Sequence, residues 1–143
     1  MPFTPPKPLE PPPEDLRGAT VLVVDDERVW RVILETDLRM LGYTVAVARD
    51  GYEALSRVRE DNPEVAIIDL MLPEPMDGIK LLSELRSRGD AIPVIFFTAQ
   101  TTDLQLTTTN PQVLAYLSKA VDRADLYALL PTAIRATRSR RPD

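Results

Sequence analysis

The sequence predicts an α/β domain in which a doubly wound, five-stranded parallel sheet carries helices on both faces. Three observations lead to this. The hydrophobic pattern switches repeatedly between strand-like runs and helix-like stripes, the mark of alternating β and α elements. Three of the five strand-like runs are almost continuously apolar, as strands covered on both sides must be. The chain has 143 residues, 44% hydrophobic and 27% charged, the balance and length of one globular domain. At that length folding buries roughly two thirds of the surface the unfolded chain exposes, so a core forms without staples.

The strands are read at Thr20–Asp25, Thr44–Ala48, Glu64–Asp69, Ile92–Phe97 and Val113–Leu117. The first helix is expected from Glu27 to Leu41, with Trp30, Leu34, Leu38 and Leu41 on one stripe and Gly42 as its stop. A second helix follows Asp50-Gly51 with Ala54, Leu55 and Val58 inward, and Asn62-Pro63 closes it, because the residue before a proline avoids the α region. A third follows Gly78 with Leu81, Leu82 and Leu85 inward. Residues 101 to 111 form a weakly specified helix, since Leu104 and Leu106 are its only apolar anchors and three threonines run together. The last helix carries Leu126, Leu129, Leu130, Ala133 and Ile134, and the stripe continues past Pro131, which predicts a kink rather than an end.

The folded body is expected over residues 19–137. Seven of the first 13 residues are proline, so 1–18 reads as an extended tail outside the core, a spacer or a proline-recognition ligand. Residues 138–143 read as a basic C-terminal tail; with Arg135, its arginines complement a helix C-terminus or an acidic partner.

Composition excludes several chemistries. Without Cys there are no disulfides or thiolate metal sites, and without His there is no Ser-His-Asp triad, imidazole-held zinc or histidine proton relay. The formal charge of -5 provides no global basic field, so direct nucleic acid binding is not expected. Apolar runs such as Val21–Val24 and Pro93–Phe97 fall far short of the roughly 20 residues a membrane span needs, and no signal peptide is visible; the expected location is cytoplasmic.

Parallel β-α units joined by right-handed crossovers bind ligands beyond the carboxyl ends of their strands. Those ends supply Asp25, Asp26, Asp69, Thr98 and Lys119. Two carboxylates about 4 Å apart repel by roughly 4 kcal/mol at an effective dielectric of 20, so three that converge demand a cation. All-oxygen ligation selects a hard ion such as Mg2+. Lys119 and the Thr98 hydroxyl suit an incoming phosphoryl group, with one carboxylate as nucleophile. Singly, each residue has another explanation: Asp26 as a helix cap, Asp69 as a turn residue, Lys119 as a solvated lysine.

From about residue 19 to 137 the chain resembles the receiver domain of two-component response regulators. The likeness rests on VLVVDDE, LGYTV, DGYEAL, NPEVAIIDLMLP with MDG, PVIFFTA and YLSK. They are spaced 43 residues from Asp26 to Asp69, 29 to Thr98 and 21 to Lys119. The resemblance implies a flavodoxin-like (βα)5 fold with strand order 2-1-3-4-5. It implies Asp69 as phosphoacceptor from a histidine kinase or phosphotransfer protein, and Mg2+ held by Asp25, Asp26, Asp69 and the Met71 carbonyl. Thr98 and Lys119 would engage the phosphoryl oxygens, and Tyr116 matches the aromatic switch position, or else packs as a strand tyrosine. Such a domain catalyses only its own phosphorylation and dephosphorylation, and signals to a protein target, a linked output domain or a second copy in a homodimer. With 24 residues after Lys119, no output domain is expected within this chain.

The sequence departs from the family pattern at four places. Asp69 to Gly78 spans nine positions, one more than usual, with Glu74-Pro75 adding an acid near the metal. Ala120 stands where a proline with a cis bond is typical. The thin fourth helix and Pro131 fall on the face members commonly use for partners. Met71 and Gln100 hold the positions that tune phosphoryl lifetime. Two further readings stay open: a pseudo-receiver acting by phosphorylation-independent protein contact, and a haloacid-dehalogenase-type phosphatase, whose signature places two aspartates one residue apart after a strand.

Overall fold

The computed structural model describes residues 5–99 and 113–141. Its strands are β1 (Thr20–Val24), β2 (Thr44–Ala48), β3 (Val65–Ile68), β4 (Val94–Thr98) and β5 (Val113–Ser118). They form one sheet in the order β2-β1-β3-β4-β5, every pairing parallel. The helices are α1 (Arg28–Leu41), α2 (Gly51–Asp61), α3 (Gly78–Ser87), α4 (Arg123–Tyr127) and α5 (Leu130–Arg140). The helix expected at 101–111, and Gln100, lie outside the described residues.

Alternation along β1 explains the two-sided core. Val21 and Val23 join Leu34, Leu38, Leu126, Leu130 and Ile134 from α1, α4 and α5, whereas Leu22 and Val24 join Ala54, Leu55, Leu81, Leu82 and Leu85 from α2 and α3. Val21 through Val24 are all buried because both sides of the sheet are covered. Two helix ends follow local chemistry. Gly42 takes φ 103°, with its amide on Arg39 and that of Tyr43 on the Leu38 carbonyl, and Asn62 closes α2 at φ 47° before Pro63.

Several boundaries differ from the sequence expectation. Asp25, Glu64 and Asp69 fall just outside their strands, although their amides still bond to Ala48, Thr20 and Val24. β4 starts after Pro93, which lacks an N–H, and ends on Thr98. The last helix is two pieces. Ala128 and Leu129 keep helical dihedrals between them, and Pro131 sits in the first turn of α5, where its missing N–H costs nothing. The burial of Leu126, Leu130, Ala133 and Ile134 therefore continues across the break.

Residues 5–18 and 138–141 are more structured than proline and arginine content suggests. A single 3-10 turn, Glu14–Leu16, places Leu16 at 0% exposure in the core beside α5, with Leu9 partly buried against the same cluster. Lys7 pairs with Asp125 at 2.8 Å, and Arg135 grips both oxygens of Asp15 at 2.9 and 3.3 Å. At the other end α5 continues through Arg140; Arg138 pairs with Glu64 at 2.7 Å, and Thr137 donates to the Glu64 carbonyl. No described helix is long and apolar enough to cross a membrane.

Candidate functional site

At the carboxyl edge of the sheet, β1 and β3 deliver Asp25 and Asp69 side by side because their parallel register aligns Val24 with Ile68. Both are almost fully buried, at 2% and 3% exposure. Lys119, one residue past β5, reaches between them: its Nζ lies 2.7 Å from Asp25 Oδ2 and 3.0 Å from Asp69 Oδ2. The lysine is anchored by its own amide, which donates to the Thr98 carbonyl at the end of β4. The Ala120 amide donates to the Ser118 hydroxyl, and among the described residues the cis peptide is Glu74-Pro75, not Lys119-Ala120. Ala120 thus leaves the amine seated on both carboxylates.

The remaining carboxylate oxygens are held by backbone. Asp25 Oδ1 accepts from the Glu27 amide at 2.9 Å, and Asp69 Oδ1 from the Met71 amide at 3.0 Å. Burial pushes the Asp25 carboxyl above its usual range, and the Asp69 charge adds to this against the opposing pull of Lys119 and the Glu27 amide. For Lys119 burial acts downward, but the hydrogen bonds to Asp25 and Asp69 prevail and hold its ammonium above the ordinary value.

Of the residues singled out from sequence, Asp25, Asp69 and Lys119 come together, and Thr98 is fully buried beside them on β4. Tyr116 stacks on Phe96 at 5.3 Å with its hydroxyl shielded from solvent. Asp26 is solvent-exposed, and the carboxylate that approaches Asp25 and Asp69 is that of Glu27; oxygens of these three fall within 4.8 Å of one another. Sequence reasoning passed over Glu27, and the signal was the third acid of the DDE run. It also passed over Trp30 as a site residue. That ring stands 5.1 Å beneath the Lys119 ammonium and edge-on to Phe97, which braces the lysine from α1. Glu74, expected near the metal, is exposed and pairs with Lys80 at 2.9 Å instead.

The loop after β3 is fixed by close backbone approach. A Cβ on Gly78 would lie 2.6 Å from the Asp69 carbonyl oxygen and 2.8 Å from Leu70 Cα, so only glycine lets α3 start against the strand that carries Asp69. Asp77 caps that helix by accepting from the Lys80 amide.

Comparison with known proteins follows the same lines. The sequence matches the family model of the response regulator receiver domain over residues 21–131. Response regulator MprA of Mycobacterium ulcerans is 42% identical over 80 residues, 56% of this chain and 34% of that protein, so the chain spans about a third of the length of the curated relatives it matches. The receiver domain of the Francisella response regulator 1452 is 31% identical with a TM-score of 0.75, covering 83% of this chain and 98% of that one. Response regulator protein TrrA of Thermotoga maritima, whose crystal structure is a complex with Mg(2+)-BeF, is 25% identical with a TM-score of 0.71, over 80% of this chain and 98% of that one. With the family's pattern running from the first strand into the last helix, on a sheet wound in the expected order, this chain belongs to the response regulator receiver domains of two-component systems.

Proposed function

We propose that this receiver domain is a phosphoacceptor switch, which takes a phosphoryl group onto Asp69 from the phosphohistidine of a partner histidine kinase or phosphotransfer protein. One observation carries the reading: a single ammonium holds two buried carboxylates, one of them at the end of β3. That arrangement serves a group that arrives with negative charge.

The donor set fits Mg2+, since it is all hard oxygen with carboxylates from Asp25, Glu27 and Asp69 close together. The Mg(2+)-BeF complex of TrrA supports the same assignment. Asp25, Asp26, Asp69 and the Met71 carbonyl are the proposed ligands, with Glu27 within reach of the same ion. When bound, the ion supplies positive charge that screens the carboxylates and the phosphoryl oxygens.

Asp69 is the nucleophile. A carboxylate oxygen forms the new P–O bond while the donor's P–N bond breaks and its imidazole keeps the electron pair and takes up a proton. Lys119 transfers its hydrogen bonds to the phosphoryl oxygens, and the Thr98 hydroxyl donates to another. Asp69 ceases to be an acceptor for Lys119 in its old form, and Tyr116, stacked on Phe96 of the same strand as Thr98, reports the change to the surface of β5. A protein target, a linked output domain or a second copy of the chain would read that surface.

Intact-mass measurement after incubation with acetyl phosphate and Mg2+ tests the proposal. The wild type gains one phosphoryl group and Asp69→Asn does not. An unchanged wild-type mass, or a modified Asp69→Asn, would overturn the proposal in favour of phosphorylation-independent protein contact.

A further inference from the structure

We propose a second ligand site at the end of the sheet opposite Asp69, where Arg140 and Arg141, with Arg86 beside them, bind the diphosphate group of a small molecule. Two adjoining clefts of about 290 and 350 Å3 meet there and share Ala91 and Arg140. Each is near the lower end of the roughly 300–1,000 Å3 typical of small-ligand clefts.

The argument rests on unbalanced charge. Most basic side chains of the described residues are matched to carboxylates, from Lys7 with Asp125 to Arg138 with Glu64. Among the described residues, Arg140 and Arg141 have neutral partners instead. Arg140 Nη1 donates to the Ala91 carbonyl at 2.9 Å. Arg141 Nη2 donates to Asn62 Oδ1 at 3.2 Å and to the carbonyls of Asn62 and Pro63 at 3.5 and 3.4 Å. Such bonds fix the two guanidiniums in place without cancelling their charge, which is the preorganisation an anion site needs. Arg86 donates to the Asp90 carbonyl from the same loop. Its basicity is depressed by burial and, secondarily, by Arg140, although Asp90 acts the other way, so the two arginines feel each other.

Asp90 is the one acid lining the two clefts among the described residues, and its Oδ1 is engaged by the Ile92 amide. Arginine forks match phosphate oxygens bidentately, and neighbouring guanidiniums over one loop suit two linked phosphates better than one. The cleft volumes favour a small molecule over a peptide.

The test is an NMR titration of the full chain with sodium pyrophosphate, in Mg2+-free buffer at constant ionic strength. Saturable shifts are expected at residues 89–92 and at Arg140 and Arg141. The double variant Arg140→Gln, Arg141→Gln should bind about tenfold or more weakly, the scale of lost charge-assisted hydrogen bonds. Because those arginines also tie α5 to the neighbouring loops, Asp90→Asn provides the opposite arm: it keeps the Oδ1 acceptor, removes the opposing charge and should tighten binding. Shifts confined to the surroundings of Asp69 and Lys119, equal affinity in all three proteins, or stronger binding of a glutamate peptide than of pyrophosphate would overturn the assignment.

Discussion

Replacing Lys119 by Met deletes one charge while keeping most of the side-chain stem, and its consequences follow from the distances. At an effective dielectric of 20, separations of 2.7 and 3.0 Å each correspond to about 6 kcal/mol of gross attraction. Carboxylates within 4.8 Å of each other repel by about 3–4 kcal/mol. Much of the attraction only offsets the cost of burying the ammonium, and removing one partner of a buried pair usually costs about 3–5 kcal/mol net. Urea unfolding followed by circular dichroism should therefore show Lys119→Met destabilised by about 3 kcal/mol at neutral pH without Mg2+. The same deletion leaves the carboxylates without their resident cation. Mg2+ then has no ammonium to displace, and it should stabilise the variant more than the wild type, by about 1.4 kcal/mol for each tenfold gain in affinity. A variant as stable as the wild type, or one that Mg2+ stabilises no further than the wild type, would refute this account of the site.

Three other outcomes are expected. Gly78→Ala drives a methyl into the backbone of the strand bearing Asp69; overpacking of that kind costs about 1–3 kcal/mol, and urea melts together with Mg2+ titration should show lower stability and weaker binding. Leu16→Ala empties a slot at 0% exposure, so the unfolding free energy should fall by about 2–5 kcal/mol, whereas a free tail would give almost no change. Burial pushes the Tyr43 hydroxyl up from 10.0 to about 12, so the folded chain keeps this proton after the unfolded chain has lost it. Tyr43 should account for roughly 2 kcal/mol of the stability lost as pH rises from 10 to 12, and Tyr43→Phe should remove that share in pH-dependent melts while leaving the share of Tyr127, which burial and Asp37 also raise.

The sheet was readable because β1, β3 and β4 are buried on both faces and so spell local apolar runs, and Gly42 and Asn62-Pro63 punctuate it with residues whose backbone preferences act within a turn. Asp25, Asp69, Thr98 and Lys119 were readable because parallel strands bring their ends to one edge, whatever the loops do between them. What escaped depends on partners remote in the chain. Leu16 sits among prolines and charges, and nothing nearby announces that it reaches the core beside α5, or that Asp15 meets Arg135 across 120 positions. Glu27 and Trp30 gain their roles only once the turn after β1 swings back toward Lys119. The break before α5 was signalled locally by Pro131, whose missing N–H interrupts the helix, and only its form, two helices in place of one kinked helix, was not foreseen.

The chain has a single tryptophan, and it stands 5.1 Å from the Lys119 ammonium. Any event that draws this amine off its carboxylates alters the field over the indole. If the proposed function holds, the molecule carries its own optical gauge: emission from Trp30 would follow the proposed ion binding and phosphoryl transfer in real time, with no label attached and no second indole to blur the signal.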